Sequence, residues 1–249
     1  MVGGKRRLSP AAQGHRDRLR DITAGQSRAL TDRLRSLLKR EQTDLMRLLG
    51  LPRKTRVALP SLIELWERMD ETDGAVRELL RGVLVQTSTA TLDEIRELYS
   101  GAEHLDTGPV MTAIEGHVPA AASYLRYGLP GSAEGVRQAF EHIASGEWDS
   151  RQVQEFLDRY YGSGYLRAEG VARTEVAYAA TTTQMEAYRY CGVEQVQFVY
   201  GGGPCTEGVC PELDGQVFAI DEAEEPPIHP NCDCVLVPFV ADALTEPSS

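Results

Sequence analysis

Thiol and imidazole groups crowd the C-terminal part of this chain. Cys205, Cys210, His229, Cys232 and Cys234 fall within thirty residues, a window that holds four of the chain's five cysteines and one of its five histidines. They stand among turn-forming residues: Gly201-Gly202-Gly203-Pro204 leads into Cys205, and His229-Pro230-Asn231-Cys232-Asp233-Cys234 carries three candidates in six positions. A tetrahedral Zn²⁺ needs about four N or S ligands at roughly 2.0 to 2.3 Å, and loops rich in Gly, Pro and Asn can fold tightly enough to supply them.

Five candidates compete for four positions. Cys232 and Cys234 lead into Val235-Leu236-Val237, an apolar run with strand character. Residues two apart on a strand face the same way, so both thiolates can reach one ion. Cys205, Cys210, Cys232 and Cys234 make a Cys₄ site, with His229 as a competing ligand or a neighbour of the ligands. A Cys₃His site with one of the terminal pair spare is the alternative. Reduced packing cysteines or disulfides would use the same residues. The chain shows no signal-peptide pattern, which points to a reducing cytosol where thiols persist. Cys191 follows a tyrosine at a predicted helix end and reads as a small buried hydrophobe.

The surroundings of these residues resemble a known family. Cys210-Pro211-Glu212-Leu213-Asp214-Gly215 and Pro226-Pro227-Ile228-His229-Pro230-Asn231-Cys232-Asp233-Cys234 look like the cysteine region of the phage head morphogenesis family, the Mu F-like minor head proteins. Upstream, Ala172-Arg173-Thr174-Glu175, Glu186-Ala187-Tyr188-Arg189 and Gly192-Val193 are similar to the family's long helix. The resemblance covers about residues 140 to 240. The family usually shows Cys-x-x-Cys before its Leu-x-Gly turn, whereas four residues separate Cys205 from Cys210 here and Glu207 takes the usual first position. Cys205 is therefore the less secure ligand. The resemblance implies a structural minor head protein of a tailed bacteriophage, acting in head assembly at or near the portal. Portal or major capsid protein would be its partners, and the virion its location after assembly in the host cytoplasm.

No enzyme signature accompanies the cluster. A zinc deaminase needs His-x-Glu upstream of Pro-Cys-x-x-Cys, but the histidine here lies downstream and Asn231 occupies its +2 position. His-Glu-x-x-His, Gly-x-Ser-x-Gly and the phosphate-cradling Gly-x-x-x-x-Gly-Lys signature are all missing from the sequence. Gly201-Gly202-Gly203 reads as a flexible turn. The rival readings are a zinc-stabilised nucleic-acid-binding module and a hydrolase or toxin-associated domain.

Charge is divided unevenly along the 249 residues. Residues 1 to 56 hold 15 Lys and Arg against 5 Asp and Glu, while the chain as a whole has a net charge of −11. A basic arm on an acidic body is an electrostatic handle for nucleic acid, which the resemblance would make phage DNA, or for an acidic protein partner. The arm holds no aromatic residue to stack on bases, so a helix with a solvated basic face is the plainer reading. No apolar run approaches the ~20 residues that cross a bilayer, and no membrane partner is expected.

The elements that must position these residues are mainly helical. Ser9-Pro10 offers an N-cap with proline in the first helical turn. Leu30, Leu34, Leu37, Leu38, Leu45, Leu48 and Leu49 then recur at helical spacing up to the stop at Gly50 and Pro52. Such a stripe must be buried, on its own domain, on a copy or on a partner such as the portal. Ser61 with Glu64, and Thr91 with Glu94, have capping-box spacing and predict helices over 61–70 and 91–100, with another over 74–86. Gly101 to Pro130 reads as loops with one short helix. Helices over 132–145 and 150–161 follow, and Gly162-Ser163-Gly164 separates the second from a long alanine-rich helix ending at Gly192. Arg173 and Glu175, two apart on that helix, do not face each other and must each pair elsewhere. Alternation over 195–200, with short runs at 216–220 and 234–239, predicts three strands.

The expected fold class is mainly α, with helical N-terminal and central regions and a small C-terminal α+β domain containing a short β-sheet and a zinc clasp. Its divisions are a helical region with the basic arm over 1–110, a junction over 111–131, a head-morphogenesis-like domain over 132–240 and a flexible tail over 241–249.

Overall fold

The computed structural model describes residues 8–51, 62–128, 132–203, 205 and 208–239. Pro52, Ser61, Glu207, the first seven residues and the tail from 240 onward lie outside them. Five helices come first: α1 (Pro10–Leu48), α2 (Leu62–Leu98), α3 (Gly108–Tyr127), α4 (Ser132–Ser145) and α5 (Ser150–Tyr190). A three-stranded antiparallel sheet follows, β1 (Gln195–Val199), β2 (Val217–Ala219) and β3 (Val235–Pro238), in the order β2-β1-β3. The short helix α6 (Val209–Leu213) lies between β1 and β2. The mainly helical reading with a small C-terminal sheet is borne out. No described helix is long and apolar enough to cross a membrane.

Local chemistry sets the helix ends. Ser9 Oγ accepts the amide of Ala12 at 3.2 Å, capping α1 as the sequence predicts. At its other end Gly50 takes φ 72, with Leu51 N–H on the Met46 carbonyl and Gly50 N–H on the Arg47 carbonyl. That pair of bonds is the Schellman stop, and it recurs at Gly146 after α4 and at Gly192 after α5. Asp149 caps α5 through the amides of Arg151 and Gln152, and Gln152 returns a bond to the Asp149 amide.

Three expectations are corrected. The stretch 62–98 is one helix, not three: Thr91 is buried inside α2, and Glu94 reaches His15 and Arg18 instead of a helix start. Capping-box spacing also arises by chance inside a helix, where packing decides. Gly162-Ser163-Gly164 does not break α5, which runs unbroken for 41 residues. Gly164 is there for close packing, since a Cβ on it would meet Leu38 Cδ1 at 3.2 Å. The described part of the Gly101 to Pro130 stretch, up to Gly128, is a 3₁₀ turn (Ser100–His104) followed by the 20-residue α3. Pro119 sits inside α3 on its exposed side, where the backbone carbonyl it leaves unpaired can face water.

The chain forms two compact units. The first draws on Met1–Gln26, Leu84–Ile114 and Arg173–Ser249, the second on Ser27–Val83 and Glu115–Ala172. In the first unit, Leu92 and Ile95 of α2, Met185 and Tyr188 of α5, and Val196, Phe198 and Leu236 of the sheet share one core with Cys210, Cys232 and Cys234. The opposite face of the sheet, through Val199, Val235 and Val237, is covered by Leu8 and Ala12 at the start of α1.

A buried polar group ties three helices of this unit together. His15 Nδ1 lies 2.8 Å from Glu94 Oε1 and His15 Nε2 lies 2.6 Å from the Tyr188 hydroxyl. Arg18 Nε donates to both oxygens of Glu94 at 2.8 Å. A carboxylate only accepts, so Nδ1 carries the proton and Tyr188 donates to Nε2. Burial holds the His15 pKa below its ordinary value, although Glu94 pulls the other way.

In the second unit, Leu30, Leu34, Leu38, Leu45 and Leu49 are all buried. The leucine stripe of α1 is thus satisfied inside its own chain and is not a face waiting for a partner. Beside it Arg126 of α3 and Glu41 of α1 form a two-pronged ion pair at 2.8 Å, both side chains 0% exposed. Arg167 of α5 donates to the Leu125 and Arg126 carbonyls at 2.9 Å, satisfying the end of α3. An aromatic group of Phe140, Trp148, Phe156, Tyr160 and Tyr161 fills the α4–α5 hairpin.

Candidate metal centre

All five sequence candidates converge. Cys205 lies in the loop after β1, and Cys210 sits in the first turn of α6, entered through Gly208 at φ 73. His229, Cys232 and Cys234 come from the segment between the cis Pro226-Pro227 bond and β3. Cys210, Cys232 and Cys234 are buried, while Cys205 and His229 are half-buried. All five cysteines of the chain are free thiols. Cys191, set apart from the cluster in the sequence, packs on the core around Tyr188.

The ligand atoms fall into two groups with one member in common. Those of Cys205, Cys210 and His229 lie within 4.8 Å of one another, and so do those of Cys210, Cys232 and Cys234. Cys210 Sγ is 3.2 Å from His229 Nε2 and 4.0 Å from Cys232 Sγ. Ligands bound tetrahedrally at 2.0 to 2.3 Å sit about 3.3 to 3.8 Å apart, so either group could close on a metal ion with little movement. His229 Nδ1 donates to the Pro230 carbonyl at 2.9 Å. That bond fixes the proton on Nδ1 and turns the Nε2 lone pair toward Cys210, the orientation that metal-binding histidines use.

The same crowding unsettles the protons. The Cys232 thiol is pulled down to about 5, first by a hydrogen bond from Cys234 and further by the amides of Cys234 and Ile228 and by His229. Cys234 is driven far up by its bond to Cys232. Burial, then Cys232, pushes Cys210 up to about 12. Cys205 is lowered by the amides of Cys210 and Gly208, and His229 is raised by its bond to Pro230. Backbone amides thus point at several sulfurs, and those donors favour thiolate, the form in which sulfur binds a cation.

Residues the sequence reading missed hold the loops in place. Gly201 and Gly203 are not a flexible turn: a Cβ on Gly201 would overlap the carboxylate and carbonyl of Asp233, and one on Gly203 would crowd the same carboxylate. Glycine is needed because the two ligand loops touch backbone to side chain. The Tyr200 hydroxyl donates to the Gly203 carbonyl, and the Tyr200 amide donates to Asp214 at 3.0 Å. Thr174 Oγ1 of α5 accepts the Asn231 amide at 3.0 Å across 57 residues of sequence. Its only sequence trace is its place in the Arg173-Thr174-Glu175 run.

A mainly helical chain with a small three-stranded sheet beside a cysteine and histidine cluster is the architecture so defined. Residues 137–237 match the family model described as phage Mu protein F like protein. The match supports the resemblance to the phage head morphogenesis family that the sequence implied. No curated protein and no solved structure matches the chain.

Proposed function

We propose that the protein is a structural minor head protein of a tailed bacteriophage, its C-terminal sheet locked by one structural Zn²⁺. The observation that carries the reading is the convergence of five thiol and imidazole ligands inside the segment that matches the Mu F-like family. Cys210 belongs to both ligand groups and is the central ligand. Cys205 and His229 make up one group with it, and Cys232 and Cys234 the other. The head-morphogenesis role is assigned to residues 132–240, with 1–110 as the helical region and 111–131 between them, and each stretch contributes to both compact units. The role is assembly at or near the portal through contacts with portal or major capsid protein, first in the host cytoplasm and then in the virion. Catalysis has no part in it. Mass spectrometry of purified virions and of proheads should find the chain in both, and its absence from both would sink this role.

A nucleic-acid contact is favoured by one further observation. The exposed charged positions of α1 from 28 to 47 are Arg28, Arg33, Lys39, Arg40 and Arg47 against Asp32, along roughly 30 Å of helix. Removing residues 1–56 cannot test this, because α1 also supplies His15, Leu30, Leu34, Glu41 and Leu45 to buried positions. Glutamate at Arg28, Arg33 and Lys39 keeps the fold and reverses the face. Binding to duplex DNA should fall at least tenfold, and the salt dependence of the remaining affinity should flatten. Unchanged binding would leave the face as a solvated surface.

A further inference from the structure

Thr174 stands outside the ligand set, yet it touches the loop that carries three of the ligands. Its hydroxyl oxygen accepts the backbone N–H of Asn231, 3.0 Å away. Asn231 lies between His229 and Cys232 and takes φ 63, the one left-handed non-glycine residue among the described residues. Asparagine tolerates that conformation better than other side-chain-bearing residues, but it is held only where the surroundings fix it. Two bonds do so here. The Cys232 amide donates to the His229 carbonyl at 3.1 Å, closing the turn, and Thr174 receives the Asn231 amide that the turn leaves over. A half-buried amide with no acceptor would favour another backbone path, and the two flanking ligands would move apart.

We infer that Thr174 is a positioning residue for the metal centre: its hydroxyl sets the spacing of His229 and Cys232 and couples filling of the site to helix α5. This rests on the reading above that the cluster holds a metal. Thr183 of the same helix uses its hydroxyl differently, donating to the Ala179 carbonyl within the helix at 2.8 Å. Thr174 reaches out of its helix to the ligand loop. The arrangement resembles groups behind the ligands of known metal sites, which orient the ligands without binding the ion.

The test uses the full chain, with Zn²⁺ affinity measured by chelator competition and the ligand field read from the Co²⁺-substituted protein. Thr174→Val keeps the shape and removes the acceptor. It should weaken Zn²⁺ binding about 10- to 100-fold, the range found when a group supporting a ligand is lost, and shift the Co²⁺ absorption bands. Thr174→Ser should restore both, because it returns the oxygen. Affinity and bands equal to wild type in Thr174→Val would overturn the inference while leaving the metal site standing. Wild-type protein that binds neither ion would remove the metal reading itself, a distinguishable failure. If Thr174→Val does not fold, hydrogen exchange on wild type decides: a protected Asn231 amide supports the bond, and one exchanging at the rate of an open loop overturns it.

Discussion

Cys210→Ser protein, purified without refolding, is expected to contain no zinc by elemental mass spectrometry, while wild type and Cys191→Ser each carry about one ion per chain. Cys210 alone belongs to both ligand groups, so its loss leaves no three ligand atoms within 4.8 Å of one another among the described residues. Cys191 packs on the core and belongs to neither. At a free zinc concentration a thousand times the Kd, a bound ion stabilises the folded state by about 4 kcal/mol. In a chain of this size that corresponds to a fall in Tm of about 8 to 16 °C. The sheet offers little else to resist it, with strands of five, three and four residues. Equimolar zinc in Cys210→Ser would end the proposed arrangement. No zinc in wild type would leave the cysteines as packing residues of the core they already share with Phe198 and Leu236.

The second large effect belongs to the other unit. Breaking the Arg126–Glu41 pair from one side, with Arg126→Met or Glu41→Gln, should cost about 3 to 5 kcal/mol in denaturant unfolding, because the remaining group is left buried without its partner. Replacing both by apolar residues of similar volume should cost far less, and the difference isolates the desolvated charge. Acidity adds a sign. Burial pushes the Glu41 carboxyl above its ordinary 4.5 even with Arg126 beside it, and Arg126→Met raises it further. A folded pKa above the unfolded one gives stability that is full below pH 4.5 and lost as pH climbs through the folded value. The Arg126→Met protein should therefore be least destabilised in mild acid and most at neutral pH. A loss below 1 kcal/mol at every pH would mean that water reaches the pair.

The legible parts of this chain were those governed by local chemistry. Ser9, Gly50, Asp149 and Gly192 begin or end helices as their types require, and the alternation after Gly192 marked β1. The ligand cluster was legible too, since five chemically similar residues within thirty positions seldom lie far apart in space. What escaped was decided by long-range packing. Gly162 and Gly164 look like breakers until Leu38 occupies the space against Gly164. Pro119 looks like a stop until its exposed side of α3 is seen. Thr91 and Glu94 have the spacing of a cap, but Glu94 is claimed by His15 and Arg18 from another helix. Thr174 and Asn231, 57 positions apart, carry no local sign of their bond. The basic arm was legible as charge and not as structure, because half of its length also builds the buried side of α1.

The interleaved make-up of the two units has a consequence for biosynthesis. Both pieces of the second unit, Ser27–Val83 and Glu115–Ala172, are synthesised before Arg173 is added. The first unit waits for its last piece, Arg173–Ser249, which brings the distal half of α5, the sheet and the whole cysteine cluster. Folding during translation proceeds from the N-terminus, so the second unit has all of its residues before any cysteine is made, whereas the first cannot be completed until the cysteines are. The thiols are thereby made only as the unit that buries them is being completed.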